Sequence, residues 1–394
     1  MTKINAKIIA DSVDPRGHRL VSFIITFPRY ILAELNTHRM LSKNSASSRA
    51  IPFEKLLKSV EEDPFIPIAW QKNHKGMQGS EYWTDNDTVT VDEGDEYERY
   101  TKIYSATEHF ITEWLEARDL AVAQSYELNR LGVTKQLCNR LLEPFVWHTV
   151  LISGTEWENF FALRCSQYVY SNNGGKTEKL FRSRKDWMSF FNTTDDEEER
   201  APQTDLQWRG ANKGMADIHM MDLAEAMWDA YSESKPKELL YGEWHIPFGD
   251  NITDEELSQN LYHLGGTNEQ LRVKIATARC ARTSYTVVGE EKKQSLEADI
   301  KLHDKFLEQR PLHASPFEHC AKVMTDDEYQ RHIHGTAQWG DSGGGFSSLH
   351  VGPETKGWCK NYRGFIQYRA MLTEENASQS LYGNEDLQPQ SERV

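Results

Sequence analysis

The chain lacks long apolar runs, paired cysteines and any surplus of positive charge. Its longest apolar stretch near the N-terminus, residues 20–27, is far too short to cross a bilayer. Residues 1–15 are polar and hold no apolar signal core. A cytoplasmic protein with no membrane partner is therefore expected. The five cysteines, Cys138, Cys165, Cys280, Cys320 and Cys359, are scattered, odd in number and never in a CxxC pair. That spacing argues against a disulfide frame or a zinc site and predicts reduced thiols. The formal net charge of −15 argues against a general affinity for nucleic acid, which needs a positive field. A phosphate ligand would need a local cationic cluster. No nucleophile elbow and no internal repeat is evident.

What is present describes a packed, soluble protein. Its 394 residues are 38% hydrophobic and 27% charged, enough for two to three domain-sized units or one unit with large insertions. Residues 18–36 are β-branched and aromatic and predict one or two buried strands, with Pro28 at a bend or edge. Residues 60–100 are acidic and weakly patterned, an irregular excursion. A capping box at Ser105 and Glu108 opens a helix that Gly132 closes, and a short helix from Thr134 stops before Pro144. Ser153 and Glu156 suggest a further capped helix carrying Asn159 and Arg164. Residues 167–200 read as an insertion ending in an acidic run. Helical patterns return at 216–233, 254–264, 268–283 and 296–309. Residues 335–348 are rich in Gly and Ser, and the tail after Thr373 is polar. The fold class expected is α+β, a mixed sheet with surrounding helices.

The most unusual stretch is Thr37-His38-Arg39-Met40-Leu41-Ser42-Lys43-Asn44-Ser45-Ala46-Ser47-Ser48-Arg49. Ten of these thirteen side chains can hydrogen bond, and three are fixed cations. Arginine offers planar paired donors to phosphate, and hydroxyls and amides complete the coordination. A solvated Ser-rich loop would have the same composition, but this density of donors stands out in an acidic chain. A second stretch, His313-Ala314-Ser315-Pro316-Phe317-Glu318-His319, reads as a capped helix start, whose free amides also suit an anion. Gly174-Gly175-Lys176-Thr177 ends like a P-loop but lacks its first glycine. His332 and His334 could share a strand face, yet no third ligand is signalled, so no metal is expected.

These stretches resemble the flavin-dependent thymidylate synthases. His38, Arg39, Ser42, Asn44, Ser47 and Arg49 match that family's signature, roughly RHR-x-x-S-x-N-E-x-S-x-R. Gly132-Val133 with Asn139-Arg140-Leu141-Leu142 and Pro144 is similar to its GV…AR…LP helix, with one extra residue. Residues 156–164 resemble its N-F-x-x-L-R helix, and residues 201–206 a degraded A-Q-x-E-I segment. Ala281-Arg282-Thr283-Ser284-Tyr285 resembles its A-R-x-S segment, and residues 313–319 its H-x-[ST]-P-F-E-H start. In the family the last two precede the signature; here they follow it by more than 200 residues. The blocks therefore stand in a circularly permuted or otherwise rearranged order, which a core tolerates when its termini lie at the surface.

The resemblance implies methylation of dUMP at C5, with methylenetetrahydrofolate as carbon donor, FAD as cofactor and NADPH as reductant. It implies a catalytic unit over 1–330 with insertions near 60–100 and 167–200, a C-terminal extension over 331–394, and a homo-oligomer, a tetramer in the family. His38, Arg39, Asn44, Asn159, Ser284, His313, Ser315 and Glu318 would contact FAD. Ser47, Arg49, Arg140 and Arg164 would hold the nucleotide, with Ser47, Arg49 and Arg164 closest to the chemistry. From the residues alone, Arg140 and Arg164 read equally as surface ion pairs. Thr37, Ser45 and Thr155 stand where the family has arginine, glutamate and arginine. Arg369, in a stretch ending Gln-x-Arg, is a candidate to replace the missing cation as a substrate-binding residue. Another C5 one-carbon transfer, such as hydroxymethylation, and a catalytically silent nucleotide-binding paralogue are the alternatives.

Overall fold

The computed structural model describes residues 2–330 and 356–372, apart from short stretches at 77–78, 80, 95–97, 173–176, 192–201, 203, 250–251, 262, 264, 286–294 and 310–311. Gly174 to Lys176, His332 and His334, the Gly/Ser-rich stretch, the acidic run 195–200 and the tail after Thr373 lie outside the described residues.

A five-stranded sheet organises the chain. Its strands are β1 (Asn5–Val13), β2 (Arg19–Pro28), β3 (Ser42–Ser45), β4 (Trp147–Gly154) and β5 (Lys237–Glu238), in the order β3-β4-β2-β1-β5. Only the β1–β5 pairing is parallel, so the sheet is mixed and the fold α+β. β2 shows why the sheet holds. Side chains alternate across a strand, and Val21, Phe23, Ile25 and Phe27 are all fully buried on one face. Val150 and Ile152 of β4 join them. Two helices cover this face: α4 (Glu158–Arg164) through Phe160 and Phe161, and α5 (Ile218–Glu233) through Met220, Leu223, Ala224 and Met227. Truncating one such phenylalanine to alanine costs about 3–5 kcal/mol.

The opposite face is different in kind. A second, three-stranded antiparallel sheet faces it: β6 (Trp244–His245), β7 (Ala321–Val323) and β8 (Phe365–Gln367). Leu20, Leu239, Ala321, Val323, Tyr362 and Phe365 form an apolar cluster there. Beside it runs a buried polar chain. Ser12 Oγ meets His245 Nδ1 at 2.9 Å, and His245 Nε2 meets Ser22 Oγ at 2.9 Å. Ser22 Oγ meets Ser153 Oγ at 2.6 Å, which meets His319 Nδ1 at 2.9 Å. Buried polar groups are rarely left unbonded, and this chain links five side chains, with only the far nitrogen of His319 left without a partner.

The remaining helices flank the sheets. α1 (Phe53–Glu62) packs Leu56 and Val60 against Ala46, Ile51, Leu142 and Phe145. α2 (Ala106–Arg130) is long, and Gly132 ends it in a left-handed conformation (φ 86°). α3 (Lys135–Leu141) follows, capped by Thr134. α6 (Asn268–Arg282), with the expected Thr267/Gln270 capping box, packs on α7 (Leu296–Glu308) through Leu271, Ile275 and Ile300.

Several expectations need correction. Ser153 does not cap a helix; it lies within β4, and α4 starts at Glu158 without a side-chain cap. Ser105 precedes α2 but makes no cap bond. The excursion at 60–100 contains a hairpin strand, Thr88–Gly94, paired with Arg99–Ser105. Tyr168, Phe181 and Trp187 of the 167–200 insertion form an aromatic cluster with Trp208 of the helix that follows it. The hairpin is largely exposed and the aromatic cluster is small and local, features that weak sequence periodicity does not announce.

Burial pushes His148, His245 and His319 each down to about 3. The folded values lie below the ordinary 6.5, so the unfolded chain binds more protons. Stability should therefore be complete above pH 6.5 and fall as the pH drops through and below it. Replacing His245 with glutamine should flatten that fall by up to about 1.4 kcal/mol per pH unit, read by urea denaturation at stepped pH between 6.5 and 5. An unchanged slope would mean His245 is not held neutral.

Candidate functional site

The donor-rich stretch folds as an edge strand, not as a free loop. β3 pairs with β4 so that Ser42 lies opposite Ser153 and Asn44 opposite Leu151. Ser42 and Asn44 therefore point to the face carrying the polar chain, while Lys43 and Ser45 point the other way. Ser42 and Asn44 are both buried.

Asn44 is the point where distant segments meet. Its Nδ2 donates to the carbonyl of Cys280 at the end of α6. Its Oδ1 accepts from Ser284 Oγ at 3.2 Å and from Ser315 Oγ at 3.4 Å. The backbone N–H of Ser47 donates to the carbonyl of Ser284 at 3.1 Å. Ser315 starts a short 3-10 turn, Ser315–Glu318, capped by nothing from its own side chain. The capping box expected there is not formed, because the hydroxyl turns to Asn44 instead. Glu318, in the same turn, forms an ion pair with Arg369.

The C-terminal segment closes around Ser42. Asn361 Nδ2 donates to Ser42 Oγ at 2.9 Å and Gln367 Nε2 at 3.2 Å. Gln367 also donates to Asn361 Oδ1 at 3.0 Å. Thr155 accepts from the backbone N–H of Arg363 at 3.1 Å. The segment after residue 355 is thus built onto the signature strand.

A second group gathers at His38. Arg164, at the end of α4, donates from Nε to His38 Nε2 at 2.8 Å and from Nη2 to Thr37 Oγ1 at 3.3 Å. It also pairs with Glu34. Burial and the cations of Arg164 and Lys43 push His38 down to about 4, which makes it the neutral acceptor that Arg164 needs. Burial lowers Lys43 to about 8 against the opposing pull of Glu318. Its ammonium donates to the carbonyls of His38 and Leu41.

The third group lies on the other face of β3. Ser45 Oγ is 2.6 Å from His148 Nε2, to which Arg29 Nη1 donates at 2.8 Å. Ser48 Oγ donates to Glu143 Oε1 at 2.8 Å. Arg140 lies 4.0 Å from the same carboxylate. Asn139 holds the Ser48 and Ile51 carbonyls at 2.7 and 3.1 Å, so α3 is locked to this turn.

Arg39, Arg49, Asn159 and His313 are exposed. Arg39 and Arg49 have no ion-pair partner among the described residues. The structure thus brings Asn44, Ser47, Ser284 and Ser315 together, His38 with Arg164, and Glu318 with Arg369. It does not bring Asn159 or His313 into a bond with them. Exposed cations, hydroxyls and amides form a donor set of the kind that suits an anion. Burial pushes the thiols of Cys165, Cys280, Cys320 and Cys359 up, so none of these is poised as a thiolate. Among the described residues, no group of three or more His, Cys, Asp or Glu is placed to hold a metal ion. No described helix is long and apolar enough to cross a membrane.

No protein-family model matches the chain. No curated protein matches it either. Among solved structures, a UMP/dUMP methylase PolB from Streptomyces cacaoi bound with 5-bromo-UMP is similar at 13% identity, over 59% of this chain and 90% of that one, with a TM-score of 0.35. The same methylase bound with 5-bromo-dUMP is similar at 12% identity, over 53% and 94%, with a TM-score of 0.29.

Asn44→Ala should remove three bonds, one of them to the Cys280 carbonyl, which keeps only its bond from the Thr283 backbone N–H. A cost of about 1–3 kcal/mol is expected in chemical denaturation. A variant as stable as the parent would show that Asn44 does not tie these segments together.

Proposed function

We propose that the chain is a flavin-dependent thymidylate synthase with rearranged blocks, converting dUMP to dTMP with methylenetetrahydrofolate and NADPH. One observation supports this reading above the others. Residues that resemble one family's site, yet lie more than 200 positions apart in the sequence, meet at Asn44 through Ser284 and Ser315. A chance scatter of short motifs has no reason to converge.

In this reading His38, Arg39, Asn44, Asn159, Ser284, His313, Ser315 and Glu318 hold FAD. Reduced FAD, when bound, supplies the electrons for the transferred carbon. Ser47, Arg49, Arg140 and Arg164 hold the nucleotide. C5 of the uracil must become nucleophilic, so charge builds on the ring, and fixed arginines and hydroxyls stabilise it without reorganising. Arg164 is oriented for this by neutral His38 and by Glu34. Arg369 replaces a family cation absent from this chain, with Glu318 fixing its position. A second copy of the chain is proposed to cover α2 and α3. α2 buries only Ala106 and Ser125, while Leu131 and Leu137 are 64% and 57% exposed. A second copy packed here would bury these exposed apolar side chains. Light scattering of the full chain reads this directly, and a monomer mass would remove it.

Incubating the full chain with dUMP, methylenetetrahydrofolate, FAD and NADPH should yield a nucleotide heavier by one methylene unit, read by mass spectrometry. A hydroxymethyl product would move the assignment to the related transfer. Full recovery of dUMP would contradict an enzymatic role and leave a silent nucleotide-binding protein. Arg369→Ala should raise the KM for dUMP roughly tenfold; an unchanged KM would remove Arg369 from the substrate site.

A further inference from the structure

The carboxylate of Glu143 occupies a position built for an anion's oxygen. Its Oε1 accepts from Ser48 Oγ at 2.8 Å, lies 3.5 Å from Arg29 Nη2 and 4.0 Å from Arg140 Nη1. Two arginines and one hydroxyl thus converge on a single oxygen. The backbone brings them there. Arg29 N–H donates to the Val146 carbonyl at 2.9 Å, which sets the turn after β2 beside the Glu143 segment. Asn139 holds the Ser48 carbonyl from the other side.

The charges do not balance. One carboxylate faces two guanidinium groups, and Arg29 is largely buried, with 20% of its side chain exposed. The other partner of Arg29, His148, accepts its hydrogen bond and so contributes no negative charge. A phosphate monoester carries up to about two negative charges near neutral pH and three acceptor oxygens. It satisfies two arginines and a serine better than one carboxylate oxygen does.

We propose that Arg29, Arg140 and Ser48 form a phosphate subsite and that Glu143 is its internal occupant, displaced when a phosphate monoester binds. Arg29 and Glu143 are assigned no role by the family resemblance. Glu143 keeps the paired arginines from repelling one another in the empty protein. It also lowers affinity for any ligand that cannot expel it, so neutral nucleosides and singly charged esters are disfavoured. The nucleotide part of this inference rests on the proposed function; the anion part does not.

Isothermal titration of the full chain with inorganic phosphate, dUMP and 2′-deoxyuridine tests it, using the parent, Glu143→Gln and Arg29→Gln. Glutamine keeps an acceptor for Ser48, so the turn should survive, and circular dichroism checks that each variant folds. Glu143→Gln should bind phosphate and dUMP roughly tenfold more tightly, with deoxyuridine unchanged. Arg29→Gln should weaken phosphate and dUMP by a similar factor. Phosphate affinity unchanged or weaker in Glu143→Gln would overturn the subsite. If dUMP binds all three proteins alike, the subsite fails while the nucleotide reading stands. If phosphate responds as expected but dUMP binds none of them, the subsite stands and the nucleotide reading fails.

Discussion

The arrangement depends on one buried amide. Asn44 is 4% exposed and uses both ends of its side chain, donating to Cys280 and accepting from Ser284 and Ser315. An asparagine amide donates from one end and accepts at the other without charge, and its short side chain suits an edge strand packed against a helix end. A leucine here would leave a carbonyl and two hydroxyls with fewer partners. An aspartate would set a charge against the Cys280 carbonyl. The amide thus makes strand β3, the end of α6 and the 315–318 turn into one unit.

Around it the sheet divides the labour between its two faces. The face under α4 and α5 is apolar and carries the stability. The other face sets hydrogen-bonded chains beside an apolar cluster, one chain from Ser12 through His245, Ser22 and Ser153 to His319 and one from Ser42 to Asn361 and Gln367. Polar networks of this kind rigidify when every member is satisfied. Rigid placement is what a site needs if it is to hold a cofactor and a nucleotide in fixed relation. The C-terminal strand β8 belongs to this polar layer, so residues far apart in sequence share one local environment.

Part of this was legible beforehand. Val21, Phe23, Ile25 and Phe27 announce a buried strand by alternation. Thr267 with Gln270, and Gly132, mark helix ends through local chemistry that any sequence displays. The donor density of residues 37–49 marked that stretch as unusual, and the short blocks named segments, at Ser284 and Ser315, that do meet Asn44. Other features were not legible. Ser153 reads as a helix cap because its neighbours include Glu156, yet its strand pairing depends on β2 and β3. Ser315 reads as a cap, but a partner 271 residues away takes its hydroxyl. Arg29, Glu143 and His148 carry no motif, and only the turn packed against α3 brings them together. Asn361 and Gln367 lie in a stretch whose strand is three residues long, too short for a periodic signal.

In the proposed reading these convergent donors bind a flavin beside a pyrimidine nucleotide. The absorption spectrum of the full chain with FAD, recorded before and after dUMP, tests it most directly. The account predicts protein-bound flavin bands that shift on adding dUMP, with the shift weakened in Asn44→Ala. A protein that leaves FAD free in solution, with a spectrum indifferent to dUMP, would contradict it.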